Sequence, residues 1–490
     1  MRIGIVGTGY VGSVTGSCLA ELGHDVLCAD LSEDRIMQLQ RGEPPFFEND
    51  LEPLLKNNLA NGRLKFTTSI ADAVKHGDVV FLCIGTKPLP DGRPDMTPML
   101  RATSDIASAI DGYKIIVEKS TLPIQSAEWL AGLLREKLPA GGSFDIAAVP
   151  QFLREGTAVK DFFNPDRTII GVDKPQVADV LVELFAPLNG VILVTDINSA
   201  EIIKHATSAF LATKLSFMNA IAQLCEKTGA DVTQVAKGLG MDHRIGAEFL
   251  NAGIGYGGIF FQKDIASLID IGSQYHINLD LLKATTVINR YQRIQFIERI
   301  EQALAQQENP ALFLPNAANQ YHSPEMQRAA LSHDLHGKTI AIWGLAYKPH
   351  TNDLRDAPSI SIIWGLQNRG AHVRAYDPLA MPVAKSQLPK ITFCDSPYEA
   401  AQGADVIAIV TEWDEFKEIN FKRLREVTQT RLIVDGRNLY NPQRMADLGF
   451  NYVSIGRATA FAQPNQAPES SDVVSSVALP GDASMPAVHV

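Results

Sequence analysis

Residues 3–16 read IGIVGTGYVGSVTG. Gly7, Gly9 and Gly12 follow a short apolar run and open an amphipathic one, so G-x-G-x-x-G falls between a strand and a helix. Few patterns constrain a fold more tightly. The first glycine permits a sharp turn, the second lets a pyrophosphate approach the backbone, and the third lets helix pack on strand. Tyr10 and Val11 lie between the second and third glycines. The next apolar run, DVLCAD, ends in Asp30, close to the distance at which a carboxylate meets the adenosine ribose. Such a carboxylate accepts from the ribose hydroxyls and repels a 2′-phosphate, so NAD is expected rather than NADP.

The surrounding rhythm agrees. RIGIVG, DVLCAD, DVVFLCIG, KIIVEKS and TIIGV read as buried parallel strands, separated by helical stretches such as SVTGSCLAELG. From about Ala200 the pattern turns helical: SAEIIKHATSAFLATKLSFMNAIAQLCEKTG has a 3.6-residue period and no strand signal. KTIAIWG, HVRAYDP, VIAIVTEW and RLIVDGRN then restore the strand rhythm. The expected fold is α/β, with two Rossmann-like doubly wound units joined by a long central helix and a helical middle domain. The expected boundaries are 1–199 for the NAD unit, 200–305 for the helical domain and 336–460 for the second unit. Residues 306–335 read as a linker or insertion. Residues 461–490, rich in Pro, Ser, Ala and Val, read as a disordered tail.

The second unit carries no dinucleotide fingerprint. Its first turn, IWGLAYKPH, has Tyr347, Lys348 and Pro349 where the glycines would stand. Lys348, Arg355 and Arg437 would suit phosphates or a uracil-bearing ligand, or else form ion pairs. The net charge of -11 disfavours a general nucleic-acid binder. Five scattered cysteines without CxxC or metal spacing suit a reducing compartment and give no metal site. No apolar stretch approaches the length of a membrane span, so a cytoplasmic protein is expected.

A second glycine loop, GIGYGGIFFQKD (residues 253–264), ends in Lys263 and Asp264. With this loop the motifs resemble the UDP-glucose/GDP-mannose dehydrogenases, the nucleotide-sugar 6-dehydrogenases. The resemblance rests on GTGYVG, EKSTLP, PQFLREGTAVKDFFNPDR, AEIIKHATSAFLATKLSFMNAIA, GMDHRIGAEFLNAGIGYGGIFFQKD, GLAYKPHTNDLRDAPS, TEW and DGRN. It implies NAD in the first unit and a nucleotide sugar, a UDP-sugar rather than a GDP-sugar, in a cleft between the units. It also implies a homodimer or dimer of dimers built on the central helix. For the cofactor it implies Gly7, Gly9, Tyr10, Val11, Gly12, Asp30, Arg35, Thr86, Thr121 and Glu155. For the sugar nucleotide it implies Phe152, Leu153, Lys160, Lys204, Ser208 and Arg244, the loop residues Tyr256, Gly257 and Gly258, and Tyr347, Lys348 and Arg437. Lys204, Asp264 and Thr121 are the implied catalytic residues.

Those enzymes oxidise the sugar C6 hydroxyl to a carboxylate in two hydride transfers, the second through a cysteine thioester. Here the resemblance places Phe260 at the cysteine, Ile259 before it, Gln151 at a glutamate and Ser208 at an asparagine. A phenyl ring cannot form a thiohemiacetal. Lys204 and Asp264, which serve the first transfer, remain. Three readings follow: a dehydrogenase that stops at the 6-aldehyde, one that reaches the acid without a thioester, or a silent binder of nucleotide sugar or NAD with a regulatory or assembly role.

Overall fold

The computed structural model describes residues 1–86, 94–308 and 334–462. The 306–335 stretch and the 461–490 tail lie, but for a few residues at their edges, outside the described residues.

Two sheets organise the chain. The first contains β1 (Arg2–Val6), β2 (Asp25–Ala29), β3 (Leu64–Thr67), β4 (Val79–Leu82), β5 (Tyr113–Glu118), β6 (Ser143–Ala148), β7 (Arg167–Val172) and β8 (Val191–Thr195), in the order β3-β2-β1-β4-β5-β6-β7-β8. The second contains β9 (Thr339–Trp343), β10 (His372–Tyr376), β11 (Thr392–Phe393), β12 (Val406–Ile409), β13 (Leu432–Asp435) and β14 (Asn451–Ser454), in the order β11-β10-β9-β12-β13-β14. Both share the 3-2-1-4-5-6 order of doubly wound dinucleotide folds, so the second unit repeats the architecture of the first. One expectation needs correcting. TIIGV was read as a parallel strand, yet β7 joins β6 antiparallel, with Ala147 opposite Val172, and only its other edge is parallel, to β8. The connection through residues 149–166 holds only the short helix Ala158–Phe163, and the chain returns in the opposite direction.

Between the sheets the described chain is helical: the central helix Ile197–Thr228, then Val232–Gly240, Ile259–Gln274 and Asp280–Glu308. Asp196 caps the central helix by accepting from Ser199 N–H at 2.8 Å, and Gly229, in the left-handed region at φ 77°, ends it. No helix among the described residues is long and apolar enough to cross a membrane.

The turn after the first strand of each sheet explains why glycine is needed there. Gly7 has φ 96° and Gly344 has φ 95°. A Cβ on Gly7 would lie 2.7 Å from the Cys83 carbonyl oxygen, and one on Gly344 would lie 2.4 Å from the Thr411 Cβ. Both turns fold back against the residues that follow the neighbouring strand, which are Cys83 after β4 and Thr411 after β12.

The central helix is tied to the first sheet by a buried pair of carboxyls. Glu201 accepts from the N–H groups of Gln125 at 2.5 Å and Ala127 at 2.9 Å, where the helix Ser126–Glu136 begins. Glu118, at the end of β5, lies beside it. Burial and the neighbouring Glu201 hold Glu118 well above the usual carboxylate range, and burial raises Glu201 as well. The folded protein therefore keeps a proton that the unfolded chain gives up. That stabilisation is full below the unfolded carboxylate range, about pH 4, and is lost as the pH rises through the raised folded-state value. Glu118→Gln, which offers Glu201 an amide N–H in place of the carboxyl O–H, is expected to flatten the loss of stability with rising pH. Urea midpoints measured across the neutral and alkaline range check this; parallel slopes in the two proteins would contradict it.

Candidate active site between the two sheets

The first helix, Tyr10–Glu21, starts at Gly9 without a side-chain cap, so its leading N–H groups are free for an anion. A Cβ on Gly9 would have no atom within 4 Å, whereas one on Gly12 would sit 1.8 Å from the Gly7 carbonyl oxygen. The turn is thus open where a pyrophosphate would sit and closed where helix meets strand, which fits a dinucleotide. Asp30 stands at the end of β2. Its Oδ2 accepts from Thr8 N–H at 2.8 Å and pairs with Arg35 at 2.9 Å, and its Oδ1 accepts from Ser32 N–H at 3.0 Å. Burial alone would raise its pKa, but the Ser32 and Thr8 amides and the Arg35 guanidinium together hold it below the usual value. Arg35 is thereby engaged by Asp30 and is not free for a 2′-phosphate.

A cavity of about 660 Å³, a size suited to a small-molecule ligand, opens between the two sheets. Its walls come from the 149–168 segment, the central helix, the second glycine loop and the 347–348 turn. Of the expected residues, Gln151, Phe152, Leu153 and Glu155 line it from one side. Lys204 and Ser208 line it from the central helix, and Gly257, Gly258, Phe260, Tyr347 and Lys348 from the other side. No cysteine is among the lining residues. All five cysteines are free and buried, and burial pushes Cys83 up to about 12.

Gly258 initiates the helix Ile259–Gln274 with φ 77°, which places Phe260 in its first turn and Lys263 and Asp264 one turn later. Lys204 Nζ lies 3.4 Å from Asp264 Oδ2 and 3.4 Å from Ser208 Oγ. The Asp264 side chain is fully buried, and neither of its oxygens receives a hydrogen bond. Lys263 runs the other way, donating to Thr86 Oγ1 and, at 2.6 Å, to the Thr121 carbonyl. Burial lowers Lys263 to about 8. One side chain thus ties the ends of β4 and β5, where the nicotinamide end of a dinucleotide would lie, to the helix carrying Asp264. Gln151 is buried and accepts from Leu153 N–H at 2.8 Å.

The two sheet units also meet through Glu155. Its Oε1 pairs with Arg355 at 2.8 Å, and its carbonyl accepts from Lys348 Nζ. Burial, then Asp353, pushes the Glu155 carboxyl upward against the pull of Arg355 and Lys348. Tyr10 completes the connection on the cofactor side. Its hydroxyl donates to Glu48, and Glu48 accepts from Gly156 N–H at 2.6 Å and Ala158 N–H at 2.8 Å.

Four of the residues expected to hold the sugar nucleotide lie outside the cavity wall, as does the buried Asp264. Arg244 is 78% exposed and pairs with Asp242 at 2.6 Å. Lys160 is exposed on the helix Ala158–Phe163. Tyr256 is buried beneath the loop, its ring 5.4 Å from that of Phe261. Arg437 braces the loop from behind, donating to the carbonyls of Gly255 at 3.2 Å and Val410 at 2.8 Å and pairing with Glu412 at 3.1 Å.

Sequence reasoning missed three lining cations, Arg154, which pairs with Asp161 at 2.6 Å, and then Lys119 and Arg167. Lys119 lines the cavity with its ammonium 5.7 Å from the Phe185 ring centre, and burial lowers it to about 8. Arg167 also lines it, with its guanidinium 4.3 Å from the Phe152 ring centre. Both stand in the quoted motifs EKSTLP and NPDR, which were the signal available.

Residues 1–189 match the NAD binding domain of the UDP-glucose/GDP-mannose dehydrogenase family, residues 198–291 its central domain and residues 341–442 its UDP binding domain. The chain is 39% identical over 463 residues to a UDP-glucose 6-dehydrogenase of Rhizobium meliloti, covering 93% of this chain and 100% of that one. It is 39% identical over 472 residues to a UDP-glucose 6-dehydrogenase of Pseudomonas aeruginosa, covering 94% and 98%. Among solved structures, a UDP-glucose dehydrogenase from Pyrobaculum islandicum superposes with a TM-score of 0.81 at 29% identity, covering 94% of this chain and 98% of that one. The chain therefore belongs to the UDP-glucose/GDP-mannose dehydrogenase family and is a nucleotide-sugar dehydrogenase with an NAD-binding first domain.

Proposed function

We propose that this protein oxidises the C6 hydroxyl of a UDP-sugar, UDP-glucose or a close relative, and stops at the 6-aldehyde. The observation that carries the reading is the composition of the cavity wall: Lys204 lines it with the buried Asp264 3.4 Å behind, Phe260 lines it, and no thiol does. Residues 1–199 hold the cofactor through Gly7, Gly9, Gly12 and Asp30, and residues 336–460 hold the nucleotide with Tyr347 and Lys348. Bound NAD supplies the hydride acceptor.

The chain's own groups account for the proton. Asp264, alone or through a water, takes the proton of the C6 hydroxyl. Lys204, 3.4 Å away, stabilises the oxygen as negative charge develops on it. Gln151 can hydrogen-bond at neutral charge but cannot act as a base. Phe260 offers no lone pair to the aldehyde carbon, so no thiohemiacetal forms and the second hydride transfer lacks its covalent route. The ring also excludes water from that carbon. In support of the UDP-sugar, the matched C-terminal domain is the family's UDP binding domain and relatives are UDP-glucose 6-dehydrogenases.

The test is a panel of nucleotide sugars with NAD and hydroxylamine present. UDP-glucose or a close relative is expected to give NADH together with an oxime at C6, identified by mass spectrometry. A C6 carboxylate with no oxime would overturn the aldehyde end point. Absence of NADH from every member, with UDP-glucose still bound, would establish the silent binder instead. In the active protein Lys204→Ala is expected to lower kcat by about 10²–10³-fold, with a smaller change in KM; an unchanged kcat would remove Lys204 from the chemistry.

We further propose that the protein is a homodimer built on the central helix, within a helical domain spanning 200–305. Phe210, Phe217 and Leu224 recur every seven residues on that helix and are 66%, 53% and 58% exposed. Phe217→Glu is expected to yield a monomer in light scattering; a dimer unaffected by the substitution would place the contact elsewhere.

A further inference from the structure

The mechanism leaves one buried titratable group beside the reacting pair without a task. His205 follows Lys204 on the central helix and is 2% exposed. Its Nε2 lies 2.7 Å from the carbonyl oxygen of Leu122. A carbonyl only accepts, so Nε2 carries a hydrogen and the tautomer is fixed. In the neutral ring Nδ1 is then a bare acceptor. Yet Nδ1 faces Asp264 Oδ1 at 3.6 Å, and neither atom has another hydrogen-bond partner. Two acceptors at that separation repel unless a proton or a water hydrogen comes between them.

The neighbouring charges are few. Lys204, on the same helix, lies against the other Asp264 oxygen. Lys263, on the helix that carries Asp264, acts on the imidazole through space. Burial lowers the His205 pKa, Asp264 raises it, and the two lysines lower it again. The carboxylate is thus held between an ammonium on Oδ2 and an imidazole on Oδ1.

We propose that His205 is a positioning residue for Asp264, sharing a proton along the Nδ1–Oδ1 axis and thereby setting the pH above which Asp264 accepts the proton of the substrate hydroxyl. With the proton present, His205 and Asp264 form an imidazolium–carboxylate pair and Asp264 is a poor base. Once it leaves, the carboxylate charge is available to the substrate. The acid limb of the pH profile then belongs to the His205–Asp264 pair rather than to Asp264 alone.

Two measurements test this. The kinetic one rests on the function proposed above; the spectroscopic one does not. His205→Gln places an amide N–H near the Leu122 carbonyl and removes the group at Nδ1. The acid limb of kcat/KM for NADH formation is expected to move to lower pH by about one unit, with the melting temperature little changed. An unmoved limb would overturn the proposal.

Independently of turnover, 15N NMR of histidine-labelled protein, with the His205 signals assigned by their loss in His205→Gln, follows the ring directly. Nε2 is expected to stay protonated throughout while Nδ1 titrates, and Asp264→Asn is expected to lower the pH at which it does. A His205 titration identical in the parent and in Asp264→Asn would overturn the coupling, even in a protein that turns over no sugar nucleotide. The expected shift in a protein without turnover would uphold the coupling and overturn only the function.

Discussion

The site depends on one close contact, the pressing of Gly257 and Gly258 against the second α/β unit. A Cβ on Gly257 would come within 2.7 Å of both the Asp356 carbonyl oxygen and Pro358 Cδ, and one on Gly258 within 3.0 Å of the Tyr347 ring. Gly258 N–H donates to the Arg355 carbonyl at 3.1 Å and Ile254 N–H to that of Gly436 at 3.1 Å. Arg293 clamps the same corner, pairing with Asp356 at 2.8 Å and donating to the Tyr256 carbonyl at 3.1 Å. Because the loop is fixed there, the helix from Ile259 starts at a defined place. Phe260, Lys263 and Asp264 inherit their positions from it. Any side chain at Gly257 would move all three, since the obstruction is backbone and ring rather than a flexible chain end.

That geometry separates two tasks along one helix. Lys263 reaches toward Thr86 and Thr121 of the cofactor-binding unit, while Asp264 turns inward to Lys204 and His205. Asp264 is buried and Lys263 half-buried, and charged groups persist in such places where partners surround them. The aromatic wall has a related consequence. Phe260 joins Phe152, Phe261 and Phe249 around the same space, so charges within it are poorly screened by water and act strongly on one another.

How much of this was legible depended on whether the signal was local. The first turn was readable because a φ near 96° at Gly7 and the near-contact at Gly12 can be met only by glycine, whatever surrounds them. Asp30 was readable by its position after β2. Strands β3, β6, β8, β11 and β14 escaped attention; β11 spans only two residues, and β8 lies at a sheet edge where the burial pattern gives no clean alternation. The antiparallel pairing of β7 with β6 was not readable, because direction is set by the connection and not by the strand's own residues. Lys119 and Arg167 lacked any spacing that marks a ligand contact. Arg244 and Lys160 were assigned by resemblance, and the folded single chain places both at its surface. The His205–Asp264 contact joins residues 59 positions apart in sequence, from 264 − 205, and no one-dimensional pattern announces it.

The most direct test of the account is the number of NADH molecules formed per UDP-glucose at completion with NAD in excess, for the protein and for its Phe260→Cys variant. The account predicts one for the parent, with the aldehyde as product, and movement toward two when a thiol is restored at residue 260. Two from the parent, with the acid as product, would contradict it, because the second oxidation would then proceed on a cavity wall that holds no thiol.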